Sequence, residues 1–141
     1  MSKREGQTPQ TVLAFDFGER RIGVATGNSI SGHAQAQRSI HSQGNQRWLD
    51  IGQYVSQWQP DALLVGVPSH PDGTPHLMTE RCQKFGRQLH GRFGLPVYEV
   101  DERYTSVEAQ SLGADDIDSF AAQLIAEQFL RDSNQSPNQF L

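Results

Sequence analysis

Acids at three places in this 141-residue chain adjoin apolar patterns, where an unpartnered charge is costly. Asp16 follows residues 11–15, and in an extended strand Val12, Ala14 and Asp16 face the same way. Asp101 and Glu102 follow a strand read at residues 97–100, and because strand neighbours face opposite ways one of the two points inward. Asp118 keeps helical register with Ala121, Ala122, Ile125 and Phe129, so it prolongs an apolar stripe; Asp115, three residues earlier, shares that face. Each acid has an ordinary explanation. Asp starts turns, acids favour the first turn of a helix, and Asp101 can pair with Arg103 at the surface. As a set, converging carboxylates with few other partners form the hard oxygen cage that holds Mg²⁺ or Mn²⁺. Two such ions activate a water and stabilise the leaving oxygen of a phosphodiester.

The elements that must position these acids alternate along the chain. Residues 11–15 read as a strand, residues 17–20 with Gly18 as a tight turn, and residues 21–26 as a second strand of a hairpin. A third, weaker strand falls at residues 34–40. Trp48, Ile51, Val55 and Trp58 form a helix stripe closed by Pro60. Residues 62–67 are a continuous apolar run, typical of a strand buried on both faces. A Pro-rich loop at 68–75 leads to a helix over 76–92, stopped by Gly94 and Pro96, then a strand at 97–100 and a last helix over about 115–131. A hairpin or meander followed by strands separated by helices predicts a mixed α/β sheet with parallel crossovers, flanked by helices. Sites in such sheets lie beyond the carboxyl ends of the strands, where Asp16, Asp101 and Glu102 stand. Residues 1–10 read as a flexible arm, 11–132 as one domain and 133–141 as a polar tail.

Composition narrows the partners. The formal net charge is −4, from 16 acids against 12 bases, so nucleic-acid binding must come from a local patch rather than overall charge. Arg20, Arg21 and Arg103 stand beside the acids, suited to positioning a phosphate. Arg81, Lys84 and Arg87 recur every three residues on the second helix, a stripe that either tracks a phosphate backbone or forms a solvated face. The five histidines show no metal-ligand spacing, and Cys82 stands alone, which excludes an intrachain disulfide and a cysteine zinc cluster. The N-terminus has no apolar signal region and no run approaches a membrane span, so the expectation is a cytoplasmic protein without a membrane partner, monomeric or homodimeric.

Four ordered motifs carry a resemblance. Residues 16–25 (DFGERRIGVA), Val65-Gly66-Val67-Pro68 with Asp72-Gly73-Thr74, Asp101-Glu102-Arg103-Tyr104-Thr105-Ser106 with Ala109, and Asp118-Ser119-Phe120-Ala121-Ala122 resemble those of the YqgF family, also called RuvX. The resemblance implies a RuvC-like, RNase H-like fold with a five-stranded mixed sheet. It also implies a metal-dependent nuclease in which Asp16, Glu102 and Asp118 hold Mg²⁺ or Mn²⁺, two ions in all, with Asp101 or Asp115 as further ligands. The substrate it implies is pre-16S ribosomal RNA at its 5′ end or, alternatively, branched DNA such as a Holliday junction. One segment departs from the pattern. Residues 110–117 are short and lack a basic residue, where the family has a longer, lysine-containing loop. That departure supports a third reading, a non-catalytic RNA-binding or ribosome-assembly factor that retains the fold. An Asp-x-Gly after a first strand also opens the ATP-binding fold of actin and the sugar kinases, but the second Gly-rich phosphate loop is missing.

Overall fold

The computed structural model describes residues 9–68, 77–101, 117–132 and 138–140. Strands β1 (Thr11–Phe17), β2 (Ile22–Asn28) and β3 (His33–Ile40) form an antiparallel meander. Helix α1 (Gly44–Trp58) crosses to β4 (Ala62–Val67), α2 (Leu77–Phe93) crosses to β5 (Val97–Asp101), and both strands run parallel to β1. Helix α3 (Ile117–Arg131) follows, and β6 (Asn138–Phe140) pairs antiparallel with β5. The sheet order is β3-β2-β1-β4-β5-β6. The mixed sheet of meander plus two crossovers is the one the alternation of signals predicts. The sixth strand is an addition: three residues of the segment read as a tail supply backbone partners for the otherwise unpaired edge of β5.

Period-two alternation sorts the core into two layers. Leu13, Phe15, Leu63, Val65 and Val97 point to the side covered by α1 and α2, where Ile51, Phe85 and Leu89 meet them. Val12, Ala14, Ala62, Leu64 and Val100 point to the other side, against Ile125, Ala126 and Phe129 of α3. All six residues of β4 are buried, as a central strand covered on both faces requires. Asp61 fixes the start of β4 against β1: its carboxylate accepts the Gln10 and Thr11 N–H groups at 2.9 and 3.0 Å, and its own N–H donates to the Thr11 carbonyl at 2.7 Å.

The helices end where their sequences say. Gln59 takes the left-handed conformation (φ 45°) and its N–H caps the Val55 carbonyl before Pro60. Gly94 does the same for α2, with φ 68° and an N–H to the His90 carbonyl at 2.9 Å. One boundary moves. Asp16 and Phe17 lie inside β1, paired with Gly23 and Ile22, rather than after it. Phe17 is drawn into the strand because its ring packs 4.7 Å from that of Phe85, so the turn begins at Gly18. Among the described residues no helix is long and apolar enough to cross a membrane.

Candidate functional site

Asp16 on β1 and Asp118 on α3 are 102 positions apart in numbering, and a glycine lets the backbone at Asp118 rest on the strand that pairs with Asp16. Asp16 continues the face of Val12 and Ala14, the α3 side, and its cross-strand partner is Gly23. A Cβ on Gly23 would lie 1.8 Å from the Asp118 carbonyl oxygen and 2.9 Å from the Ser119 nitrogen. Only a residue without a side chain lets the backbone of α3 rest on β2 here. The next contact locks the approach. Where the β2–β3 register slips, the buried Val24 N–H donates to Ser119 Oγ at 3.1 Å. The first turn of α3 is therefore seated beside the strand pair that carries Asp16, and Asp118 gains from the helix dipole at that end.

Asp16 is half-buried, and the side chain of Asp118 is 31% exposed. Arg21, in the turn before β2, donates from Nε to Asp118 Oδ2 at 2.9 Å while its side chain stays 58% exposed. Asp101 ends β5 opposite Val67. Tyr98 and Val100 face α3, so Asp101 shares the opposite side with Val97 and with Glu99, whose carboxylate accepts from Gln83 of α2 at 3.1 Å. Asp101 thus faces away from the side that carries Asp16 and Asp118. Glu102, Arg103, Asp115 and most of segment 110–117 lie outside the described residues. Among the described residues no group of three or more His, Cys, Asp and Glu forms a metal-binding cluster. Asp16 and Asp118 are hard oxygen donors of the type Mg²⁺ and Mn²⁺ take, and Asp118 already accepts a cationic partner in Arg21. The donor chemistry fits such an ion.

The basic residues divide. Arg20 is exposed, with its carbonyl held by Gln43 Nε2 at 2.9 Å. Arg81 reaches from α2 to form an ion pair with Glu19 in the β1–β2 turn, whereas Lys84 and Arg87 are exposed further along the helix. Arg47 is a buried position that sequence reasoning missed. It is 8% exposed, donates from Nε to the Ser42 carbonyl at 3.0 Å and from Nη2 to the Glu19 carbonyl at 2.8 Å, and lies over the Phe17 ring. Burial pushes its pKa down from the usual arginine value. Arg47 and Gln43 together tie the start of α1 to the turn carrying Glu19, Arg20 and Arg21. The only hint in sequence is its place beside Trp48 on the buried stripe of α1. Cys82 is buried in α2 and Trp48 packs against Phe85, as their helix positions predict. His70 and His76 lie outside the described residues.

Comparison with known proteins bears on the family and the fold. A family model described as "RuvX: Holliday junction resolvase" matches residues 10–132. A protein of Albidiferax ferrireducens named "Putative pre-16S rRNA nuclease" is 55% identical over 122 residues, covering 86% of this chain and 78% of that protein. A protein of the same name from a Polaromonas species is also 55% identical over 122 residues, covering 86% of this chain and 88% of its own length. Among solved structures, Thermus thermophilus RuvC in complex with a Holliday junction substrate aligns with a TM-score of 0.56 at 13% identity, over 92% of this chain and 99% of that one. At that identity the likeness shows the fold, which is RuvC-like and hence RNase H-like.

Proposed function

Because the chain belongs to the RuvX family, we propose that it is a metal-dependent nuclease that hydrolyses phosphodiester bonds at the 5′ end of pre-16S ribosomal RNA in the cytoplasm. The observation that carries the proposal is the approach of Asp118 to Gly23, which seats one carboxylate beside the strand pair bearing the other. Asp16 and Asp118 are proposed as two of its metal ligands. Glu102 is proposed as the third, since Asp101 faces α2. When bound there, Mg²⁺ or Mn²⁺ would activate a water and stabilise the leaving oxygen. The chain's own residues supply the rest. Arg20, Arg21 and Arg103 position the phosphate, while Lys84, Arg87 and, less freely, Arg81 follow the backbone along α2. RNA is favoured as substrate by the names of relatives that are 55% identical.

The description of the family model favours a second reading, cleavage of branched DNA. Both are tested by incubating the purified protein with an end-labelled pre-16S RNA fragment and with a four-way DNA junction, in Mn²⁺ or in chelator, beside an Asp16→Asn control. The proposal expects RNA shortened by the wild type in Mn²⁺ only. Cut junctions with intact RNA would assign the resolvase reading. Binding without cleavage of either would leave a non-catalytic RNA-binding factor, in keeping with the absence of a basic residue in segment 110–117.

A further inference from the structure

The ion pair between Arg21 and Asp118 places a positive charge on a carboxylate proposed to hold metal. The two partners differ in freedom. Asp118 is pinned, with its carbonyl packed against Gly23 and its neighbour Ser119 bonded to the Val24 N–H. Arg21 is tethered through Nε, and more than half of its side chain is in solvent. A divalent cation bonded to a carboxylate oxygen at about 2.1 Å brings two more positive charges to within a few bond lengths of that guanidinium. The two cations repel each other across Asp118, and Arg21, the freer partner, is the one that moves.

We propose that Arg21 is a displaceable counterion of Asp118: it balances the carboxylate when no metal is bound and is released when a divalent cation takes its place, so that it sets the affinity of the site for metal. This rests on the reading of Asp16 and Asp118 as metal ligands. The role differs from phosphate positioning, because it acts before any nucleic acid arrives and opposes metal binding. It requires positive charge at position 21 rather than the shape of the arginine.

The test is a Mn²⁺ titration of the full chain at low ionic strength, with free Mn²⁺ followed by electron paramagnetic resonance and no nucleic acid present. Arg21→Gln is compared with wild type, Arg21→Lys and Arg38→Gln, the last removing an equally positive, exposed arginine from β3. The expected result is Mn²⁺ binding up to about fivefold tighter in Arg21→Gln, the range an exposed ion pair corresponds to. Affinity close to wild type is expected in Arg21→Lys and Arg38→Gln. Unchanged or weaker binding in Arg21→Gln overturns the counterion role, as does equal tightening in Arg38→Gln, which would make it a matter of overall charge. An Asp118→Asn arm separates this from failure of the metal site itself. If Asp118→Asn binds Mn²⁺ as well as wild type, Asp118 is no ligand and the proposal falls with the metal reading. If Asp118→Asn loses the site while Arg21→Gln equals wild type, only the counterion role falls.

Discussion

Replacing Gly23 with alanine perturbs the site at its most constrained point. The added Cβ would stand 1.8 Å from the Asp118 oxygen and 2.2 Å from the Asp118 carbonyl carbon, both backbone atoms that no rotamer change can move. Ordinary contact begins near 3.4 Å, so the start of α3 must retreat by more than about 1.5 Å. That retreat breaks the bond between Ser119 Oγ and the buried Val24 N–H. An unsatisfied buried donor costs about 1–3 kcal/mol, and forced repacking a further 1–3 kcal/mol or so. The sum of about 2–6 kcal/mol corresponds to a fall in Tm on the order of 10 °C for a chain of this size. Thermal denaturation in chelator measures it, and Ser119→Ala in parallel isolates the hydrogen bond, with an expected loss of about 1–3 kcal/mol. Gly23→Ala should also lose the Mn²⁺-induced rise in Tm, because Asp118 leaves its place beside the Asp16–Gly23 pair. A variant melting within about 2 °C of wild type, well under one kcal/mol for a chain this size, would refute the claim that this approach positions the site.

Two further expectations concern the turn and the basic stripe. Arg47→Met leaves the Ser42 and Glu19 carbonyls without their buried partner and should cost about 1–3 kcal/mol in urea denaturation; a midpoint equal to wild type would show that the turn is held without Arg47. Replacing Lys84 and Arg87 with Gln should lower the salt dependence of RNA binding by about 0.7 in log–log slope for each phosphate no longer neutralised. Arg81→Gln should lower it less, because Arg81 already answers Glu19; a filter-binding series in which the slopes do not change assigns α2 a solvated face.

Much of this arrangement is legible in sequence because the signals are local. The run of residues 62–67 announces a doubly covered strand, and two-residue alternation places Asp16 with Val12 and Ala14. The 3.6-residue stripe aligns Asp118 with Ile125 and Phe129, both of which pack on that same layer. What escapes is non-local. The bond from Val24 to Ser119 spans 95 positions, and nothing in the string around Gly23 says that a distant helix backbone will fill its missing side chain. Arg47 reads as a polar residue beside the α1 stripe, and the carbonyls of the β1–β2 turn make burial of its guanidinium tolerable. Helix periodicity cannot detect acceptors supplied by another element. The short pairing of Asn138–Phe140 with β5 is hidden for a similar reason, since three residues carry too little pattern to mark a strand.

The central claim is that Asp16 and Asp118 together hold a divalent cation, and thermal melts of wild type, Asp16→Asn and Asp118→Asn in Mn²⁺ and in chelator test it most directly. Metal bound only by the folded state stabilises by mass action, about 2.7 kcal/mol at a hundredfold excess over Kd. The account predicts a clear Mn²⁺-induced rise in Tm for the wild type and its near loss in both variants. Equal Mn²⁺-induced rises in all three proteins would contradict it.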